Sequence, residues 1–449
     1  MRYCIFLGAM VAVSTFFLTG ALPRAEAAKR PGGDAPLPPT VRPQPSPYYE
    51  LYSDLEGERL QEAVMRMSRM VEEYRERTKE FSGAIKTKFP FFLFSSEMDY
   101  VQFGGPPGSS GVFVSGSERG DYLMAIAEPK NDRETWHTVQ HEGFHQFAHA
   151  VIRGELPSWL NEGLAEYFGE GIWTGDGMVT GVIPPQRLLR MQRVIEAKRF
   201  RPLRDMMMLS HRQWNFEADP RNYDMAWTMV HFLAHGDDGK YQAAFAKFIR
   251  DLRAGKQWPA AWADNFGSTE NLEKLWAAWW LAQKPTTTID LYTKATVAKF
   301  CSYLGRAAKE RQTYDNFEEF FKAAEAGTVK LPKDDWLPST LLQTAVKSRL
   351  AFGDKLKFSI AKEGRNPQVI AITPDDVRIT GTFNMAAPQG LTKVVVSVDD
   401  TSLKIAQAKT LIEANKKVDA RTLLQAALKQ NSKSPLVEDI RKLIKTTFQ

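Results

Sequence analysis

The chain has 449 residues, a formal net charge of +6 and 43% hydrophobic residues. That length predicts several domains, with enough apolar residues for a sizeable core. The basic residues are spread along the chain without a basic block containing interleaved aromatics, which argues against nucleic acid as a partner. The basic balance instead favours association with an acidic cell-wall or membrane surface.

The N-terminus predicts a secretory signal peptide over residues 1–27. A positive charge at Arg2 precedes an apolar run over residues 5–22, and Ala25-Glu26-Ala27 is an A-x-A cleavage signature. The alternative is an uncleaved membrane anchor, because the apolar run approaches the length that spans a bilayer. The protein is therefore expected to be secreted, periplasmic or held at the cell envelope. Cleavage leaves Cys301 as the remaining cysteine, which excludes an internal disulfide.

A proline- and glycine-rich linker is predicted over residues 28–49, and a first folded domain over residues 50–285. An amphipathic pattern over residues 54–82 predicts a helix. Strands are predicted at Phe89–Phe94, 112–114 and 122–127. A small sheet followed by helices predicts the α+β fold class. An edge strand of this sheet is suited to holding an extended peptide through main-chain hydrogen bonds.

The sequence His141-Glu142-Gly143-Phe144-His145 is an H-E-x-x-H motif in a segment that is predicted to be helical. Residues four apart share a helix face, so both imidazoles can reach one metal ion. Glu142 is then placed to act as general base towards a water on that metal. Only seven histidines occur in the chain, so the risk of a chance match is small. The alternative is a pair of surface histidines on a polar helix face.

A second helix is predicted to begin near Pro157, and it carries Glu162 as the third candidate ligand. A catalytic zinc site needs three protein ligands and one open position. Glu166 lies one turn further on the same face, where it can accept a hydrogen bond from a ligand histidine and fix its tautomer. The alternative is a solvated acidic face, but the apolar residues from Trp159 to Phe168 indicate a mostly buried segment.

This combination resembles a known family. The H-E-x-x-H motif followed by Trp159-Leu160-Asn161-Glu162-Gly163-Leu164-Ala165 is similar to the gluzincins, zinc metallopeptidases whose third ligand is a glutamate on a later helix. The W-L-N-E-G-x-A string is similar to the thermolysin-like aminopeptidases, and the chain also resembles the peptidase-MA-like secreted bacterial proteins. The resemblance implies a thermolysin-like catalytic domain, one zinc ion at His141, His145 and Glu162, and Glu142 as the base.

The chain departs from the aminopeptidases in two ways. Sixteen residues separate His145 from Glu162, and the aminopeptidases usually have two more, which shortens the connecting loop. The aminopeptidases also carry a G-A-M-E-N strand that binds the free amino terminus of the substrate. The comparable residues 122–128 keep a strand pattern and an acid but lack that motif. The resemblance therefore does not imply aminopeptidase specificity.

Tyr223 lies near the start of a third predicted helix. In the gluzincins a tyrosine at a comparable place donates to the oxyanion of the tetrahedral intermediate, so the resemblance implies this role for Tyr223. The alternative is a core aromatic with its hydroxyl at the surface.

Three further histidines are not predicted to bind the metal. His231 and His235 are four apart on the Tyr223 helix, but they lack an intervening glutamate and a later third ligand, which indicates a structural role. His149 follows His145 by four, and the H-E-x-x-H-x-x-G-x-x-H pattern would need glycine and histidine where Ala148 and Val151 stand. His149 is therefore predicted to be packed or solvated.

The C-terminal part is predicted to be an accessory region. Residues 286–350 form a helical connection, residues 351–400 a small β region, and residues 401–449 a helical hairpin similar to a single tetratricopeptide-type unit. The patterns do not indicate what this region binds.

The sequence as a whole predicts a secreted zinc-dependent peptidase that hydrolyses a peptide or protein substrate through a zinc-bound water. Two alternatives use the same residues. One is a catalytically silent, zinc-stabilised binding module, and the presence of Glu142 argues against it because a structural site needs no base. The other is a zinc hydrolase of a non-peptide amide or ester.

Overall fold

The computed structural model describes residues 40–117, 120–127, 132–152, 154, 156–217, 219–285, 289–333, 337–351, 356–363, 366–383 and 394–448. The predicted signal peptide and most of the predicted linker lie outside these residues. The chain divides into two units. Unit 1 comprises Met1–Gly171 and Thr180–Thr287, and unit 2 comprises Ile172–Val179 and Thr288–Gln449.

The described part of unit 1 contains a five-stranded sheet in the order β1-β2-β3-β5-β4. Its strands are β1 Arg42–Gln44, β2 Tyr49–Ser53, β3 Phe89–Phe94, β4 Gly111–Ser117 and β5 Gly120–Ile126. β2, β3 and β5 run parallel, whereas β1 and β4 pair antiparallel at the two edges. β3 is almost entirely apolar because it lies inside the sheet, with both faces covered.

The last part of the predicted linker contributes a strand to the sheet. Arg42–Gln44 forms β1 and pairs with residues 51–53 of β2. The composition of the segment did not indicate this strand, because a strand forms only where a partner strand is present. Pro43 is tolerated in it because β1 lies at the edge of the sheet.

Helices make up the rest of unit 1. They are α1 Gly57–Thr78, α2 Glu97–Gln102, α3 Asp132–Phe147, α4 Ser158–Gly169, α5 Pro185–Glu196, α6 Leu203–Met208, α7 His211–Glu217, α8 Pro220–Gly239, α9 Gln242–Arg253, α10 Trp258–Phe266 and α11 Thr269–Ala282. A π-helical turn, Ala148–Ile152, follows α3 directly. The amphipathic pattern that predicted α1 is confirmed, because Met67, Val71 and Tyr74 are buried on one face. Sheet and helices together give an α+β architecture.

Unit 2 has its own core. It contains a hairpin of β6 Ile172–Trp173 and β7 Met178–Val179, an antiparallel sheet in the order β11-β10-β9-β8, and six helices among its described residues. The sheet strands are β8 Lys357–Glu363, β9 Asn366–Ile372, β10 Arg378–Phe383 and β11 Val394–Asp399. The helices are α12 Ile289–Lys309, α13 Phe317–Glu325, α14 Ser339–Ala351, α15 Thr401–Glu413, α16 Lys417–Gln430 and α17 Val437–Thr446. α12 packs on the sheet, and α15 to α17 form a small cluster of their own.

The two units do not follow the sequence boundary at residue 285 throughout. The eight residues Ile172–Val179 lie within the predicted first domain but group with unit 2. They do so because α12 of unit 2 holds their turn through buried side chains. No helix within the described ranges has both the length and the apolar character to cross a membrane.

Candidate metal centre

Two helices that pack closely carry the candidate ligands. α3 carries His141 and His145, and α4 carries Glu162. Gln140 of α3 donates through Nε2 to the carbonyl oxygens of Phe168, Gly169 and Gly171, at 3.0, 3.0 and 3.1 Å. Phe168 and Gly169 are the last two residues of α4, and Gly171 follows the helix. One buried amide therefore locks the end of α4 against the residue that precedes His141.

A glycine lets a third helix approach the same place. A Cβ on Gly163 of α4 would lie 2.5 Å from the carbonyl oxygen of Ala226 on α8, so this position needs glycine. The close approach of α8 brings Tyr223 next to the motif, with 6.4 Å between the ring centroids of His141 and Tyr223. Burial, followed by the charge of Glu162, raises the pKa of Tyr223 well above its usual range. Its hydroxyl is therefore a protonated donor.

The three predicted ligands converge on one point. Nε2 of His141 lies 3.1 Å from Nε2 of His145, and Oε2 of Glu162 lies 3.3 and 3.4 Å from these two nitrogens. All three side chains are buried. These atoms are close enough together to hold one metal ion.

A buried ion-pair network orients the first histidine. Nδ1 of His141 lies 3.2 Å from Oε1 of Glu166, and Oε2 of Glu166 lies 2.7 Å from Nη2 of Arg187. Arg187 in turn reaches Glu170 at 3.1 Å and Asp224 at 2.8 Å. A hydrogen on Nδ1 that is donated to Glu166 leaves the lone pair of Nε2 facing Glu162 and His145.

The charges of the site favour a cation. Burial lowers the pKa of His141, but hydrogen bonds to Glu162 and Glu166 outweigh it and raise the pKa to about 10. Burial raises the pKa of Glu162, but His145 and His141 outweigh it and lower the pKa to about 2. Glu162 is therefore an ionised ligand, and binding of a metal cation would displace the proton that the carboxylates hold on His141.

Glu142 is buried beside the three ligands. Its Oε2 accepts a hydrogen bond of 2.9 Å from the main-chain N–H of Phe113 on the edge strand β4. Its Oε1 has no hydrogen-bond partner among the described residues, although it is shielded from solvent. Burial raises the pKa of Glu142, and the neighbouring histidines oppose the rise. One oxygen is thus anchored while the other remains available as a proton acceptor.

A cavity of about 280 Å³ adjoins the centre. Tyr223, Glu166, His137, Thr138 and Arg187 are among the residues that line it. The cavity belongs wholly to unit 1. It provides space next to Tyr223 and the ligand network for part of a bound molecule.

The other histidines lie elsewhere. Nε2 of His149 lies 3.1 Å from Asp121, and the His149 side chain is 46% exposed. His231 is buried with Nε2 3.0 Å from the carbonyl oxygen of Gly181, and His235 contacts the hydroxyl of Tyr167 at 2.9 Å. None of these three histidines belongs to a candidate metal group among the described residues.

Two residues of the site were not singled out from the sequence. His137 precedes His141 by one helical turn, and it forms a second possible metal group with His141 and Glu166, although its Nε2 is 3.8 Å from Glu166. The four-residue spacing between His137 and His141 could have identified His137 from the sequence. Arg187 carried no such signal, because its contacts with Glu166 and Asp224 join residues that are distant in sequence.

The comparisons with known proteins bear on this region. Residues 135–256 match the model of a family that is described as "Protein of unknown function (DUF1570)". The matched segment includes His141, His145, Glu162, Arg187 and Tyr223. No match was found among the curated proteins. The similarity therefore coincides with the candidate metal centre and carries no assigned activity.

Proposed function

We propose that the chain is a secreted zinc-dependent peptidase of the gluzincin type, with a thermolysin-like catalytic domain. The observation that carries the proposal is the triangle of 3.1, 3.3 and 3.4 Å between His141, His145 and Glu162. Tetrahedral zinc with bonds of about 2.0–2.1 Å needs ligand atoms about 3.3 Å apart. Two imidazoles and one carboxylate also form a ligand set that leaves the fourth position for water or substrate.

Each side chain around the three candidate ligand atoms has its own proposed role in catalysis. His141, His145 and Glu162 would hold the zinc ion, which would supply a Lewis acid for the scissile carbonyl and a lowered pKa for a coordinated water. Glu142 accepts a proton through Oε1 and delivers it to the leaving amine, while Phe113 holds Oε2 in place. Glu166 and Arg187 keep His141 in the tautomer that presents Nε2. The hydroxyl of Tyr223 donates a hydrogen bond to the developing oxyanion.

The edge strand β4 supports a peptide as the substrate. β4 is the last strand in the order of the five-stranded sheet among the described residues, and an extended peptide can pair at an edge strand. Phe113 of β4 contacts Glu142 directly. A peptide that pairs along β4 would therefore pass close to the base.

The remaining parts of the proposal concern the surroundings of the protein. Residues 1–27 direct it out of the cytoplasm, as a cleaved signal peptide or as an anchor. The partner is a peptide or protein substrate, nucleic acid is not a partner, and the basic balance favours the cell envelope. A silent zinc-stabilised module and a hydrolase of non-peptide amides or esters are the alternatives.

The deciding experiment compares the wild-type protein with Glu142→Gln in a proteome-wide cleavage-site profile at equal zinc loading. We expect cleavage by the wild type and none by the variant, with zinc bound to both. Glu72→Gln, at a partly exposed glutamate of α1, is the matched control and should cleave like the wild type. Equal cleavage by Glu142→Gln and wild type would contradict the mechanism. Zinc binding without cleavage of any peptide would favour the alternatives.

A further inference from the structure

One surface of unit 1 combines positive charge with exposed apolar side chains. It is formed by residues 193–216, which comprise the end of α5, all of α6 and most of α7, and we call it the α5–α7 surface. Six residues of this segment are basic and two are acidic. The segment therefore carries four of the six surplus positive charges of the chain, although buried apolar residues separate them in the sequence.

Most of these positive charges are not compensated within the protein. Arg201 pairs with Glu217 at 2.7 Å. Arg204 reaches Glu270 only at 4.0 Å, and both of these side chains are mostly exposed, so the attraction between them is weak. The other basic residues of the surface are exposed and have no ion pair among the described residues, and they are Arg193, Lys198, Arg199 and Arg212. A negatively charged partner can therefore compensate them.

Two large apolar side chains protrude among these charges. Phe216 is 89% exposed and Met208 is 62% exposed. Each follows an exposed arginine by four residues, because Arg204 precedes Met208 on α6 and Arg212 precedes Phe216 on α7. Residues four apart share a helix face, so each helix presents one cation and one apolar side chain together.

The two exposed faces belong to one local surface. Only Leu209 and Ser210 separate α6 from α7. The ion pair between Arg201, just before α6, and Glu217, at the end of α7, closes the turn between the helices. Their buried faces enter the same core, as Met206 of α6 and Trp214 of α7 show.

We propose that the α5–α7 surface docks on a lipid bilayer with anionic headgroups. Its arginine and lysine side chains pair with the headgroup phosphates, and Phe216 and Met208 enter the boundary between headgroups and acyl chains. A bilayer fits this surface better than a folded protein does. Single protruding apolar side chains surrounded by long cationic ones match a partner that is negatively charged outside and apolar just beneath.

Docking there brings the candidate metal centre close to the membrane. The ring of Trp214, on the buried side of α7, packs edge to face against Tyr223 with 5.3 Å between the centroids. His211, the first residue of α7, lies 3.1 Å through Nδ1 from the hydroxyl oxygen of Ser158, the first residue of α4. α7 therefore joins the docking surface to the helices of the candidate site. Membrane binding needs no metal, so it can be tested separately from the proposed peptidase.

The test is flotation of the protein with lipid vesicles. Residues 28–449 are used, because this chain contains every described residue and lacks the apolar run over residues 5–22, which would itself bind vesicles. Vesicles of phosphatidylcholine alone are compared with vesicles of phosphatidylcholine and phosphatidylglycerol in equal amounts. We expect binding to the anionic vesicles only, and release as the salt concentration rises, because salt screens the attraction.

Variants separate the charged from the apolar contribution. Arg204→Gln and Arg212→Gln should each weaken binding to the anionic vesicles about fivefold, the effect of one cationic side chain near such a surface. Phe216→Ser should weaken it about tenfold, because an aromatic ring no longer leaves water on docking. Circular dichroism checks that these variants fold like the wild type.

Two control variants lie elsewhere on unit 1. Met98→Ser removes a side chain that is 68% exposed on α2, where Glu97 and Asp99 flank it, and it should bind like the wild type. Lys79→Gln removes an exposed charge just after α1 and should also bind like the wild type, although it lowers the net charge as much as Arg212→Gln does.

Three results would overturn the proposed docking. One is equal binding to neutral and anionic vesicles, and another is undiminished binding in both Arg212→Gln and Phe216→Ser. The third is the absence of binding to either kind of vesicle, which would leave a protein as the candidate partner of this surface. Losses in Met98→Ser or Lys79→Gln equal to those in Phe216→Ser or Arg212→Gln would likewise contradict docking through the α5–α7 surface.

Discussion

Nδ1 of His141 lies 3.2 Å from Oε1 of Glu166, and this contact decides which nitrogen of the imidazole faces the metal position. The other nitrogen, Nε2, is 3.3 Å from Glu162. Oε2 of Glu166 is held by Arg187 at 2.7 Å. One carboxylate therefore connects a buried arginine to a candidate ligand histidine, and most of the expected behaviour of the site follows from this connection.

Glu166→Ala removes the acceptor for Nδ1 of His141. We expect zinc affinity to fall about 10–100-fold, because partners of ligand histidines typically contribute that much. Chelator competition measures the change. Glu170→Ala is the control, since Glu170 also pairs with Arg187 but is not in contact with His141. Unchanged affinity in Glu166→Ala would show that the contact with His141 does not orient the ligand.

His145→Ala removes a proposed metal ligand, whereas Glu166→Ala removes a residue that orients one. We expect a greater loss of zinc affinity than in Glu166→Ala, because two donors cannot complete a catalytic zinc site. Metal content after dialysis, measured by mass spectrometry, checks this. His149→Ala, an exposed histidine on the same stretch of chain, should retain the metal content of the wild type. Full zinc retention in His145→Ala would contradict the ligand assignment.

Tyr223→Phe tests whether Tyr223 donates a hydrogen bond to the oxyanion or only packs in the core. We expect kcat to fall roughly 10²–10³-fold, the typical cost of one such donor, with zinc affinity unchanged. Steady-state kinetics on a peptide identified by the cleavage profile measures this. Tyr167→Phe removes a buried hydroxyl that contacts His235, and it should retain kcat. If Tyr223→Phe also retained kcat, Tyr223 would be a packing residue.

We expect the protein to lose stability in acid because of His231 and His235 on α8. Burial, followed by the charge of His235, lowers the pKa of His231 to about 3. Burial, followed by the charge of Arg77, lowers the pKa of His235 to about 4. Both values lie below the ordinary value of 6.5. The unfolded chain therefore binds more protons than the folded chain as the pH falls from about 6.5 towards 4, so the free energy of unfolding decreases over that range.

His231→Gln tests this dependence while keeping a donor for the carbonyl oxygen of Gly181. We expect the variant to lose less stability than the wild type between about pH 7.5 and pH 4.5, by about 2–3 kcal/mol. Denaturant unfolding at both pH values measures the two losses. Equal losses in the two proteins would mean that the folded protein does not hold His231 in its neutral form.

Local patterns in the sequence determined a large part of this protein. The H-E-x-x-H spacing needs only the helix period, because residues four apart share a face whatever surrounds them. The stripe of α1 and the apolar run of β3 are local in the same sense, and the structure confirms both elements. Glu162 was predicted as the third ligand after the motif, and Glu166 followed because it lies one turn further on the same helix.

Contacts between distant segments were decided only by the tertiary structure. Three features depended on partners that are distant in sequence. β1 paired with β2, Arg187 with carboxylates of α4 and α8, and the hairpin Ile172–Val179 with α12. The 3.1–3.4 Å triangle itself depends on how α3 packs against α4, which Gln140 secures through carbonyls about thirty residues away. The sequence by itself thus named the candidate ligands, His141 and His145 from the helical period and Glu162 from the need for a third ligand and from the family resemblance. Their convergence and orientation came from side-chain packing and buried charge pairs between helices, which no local pattern encodes.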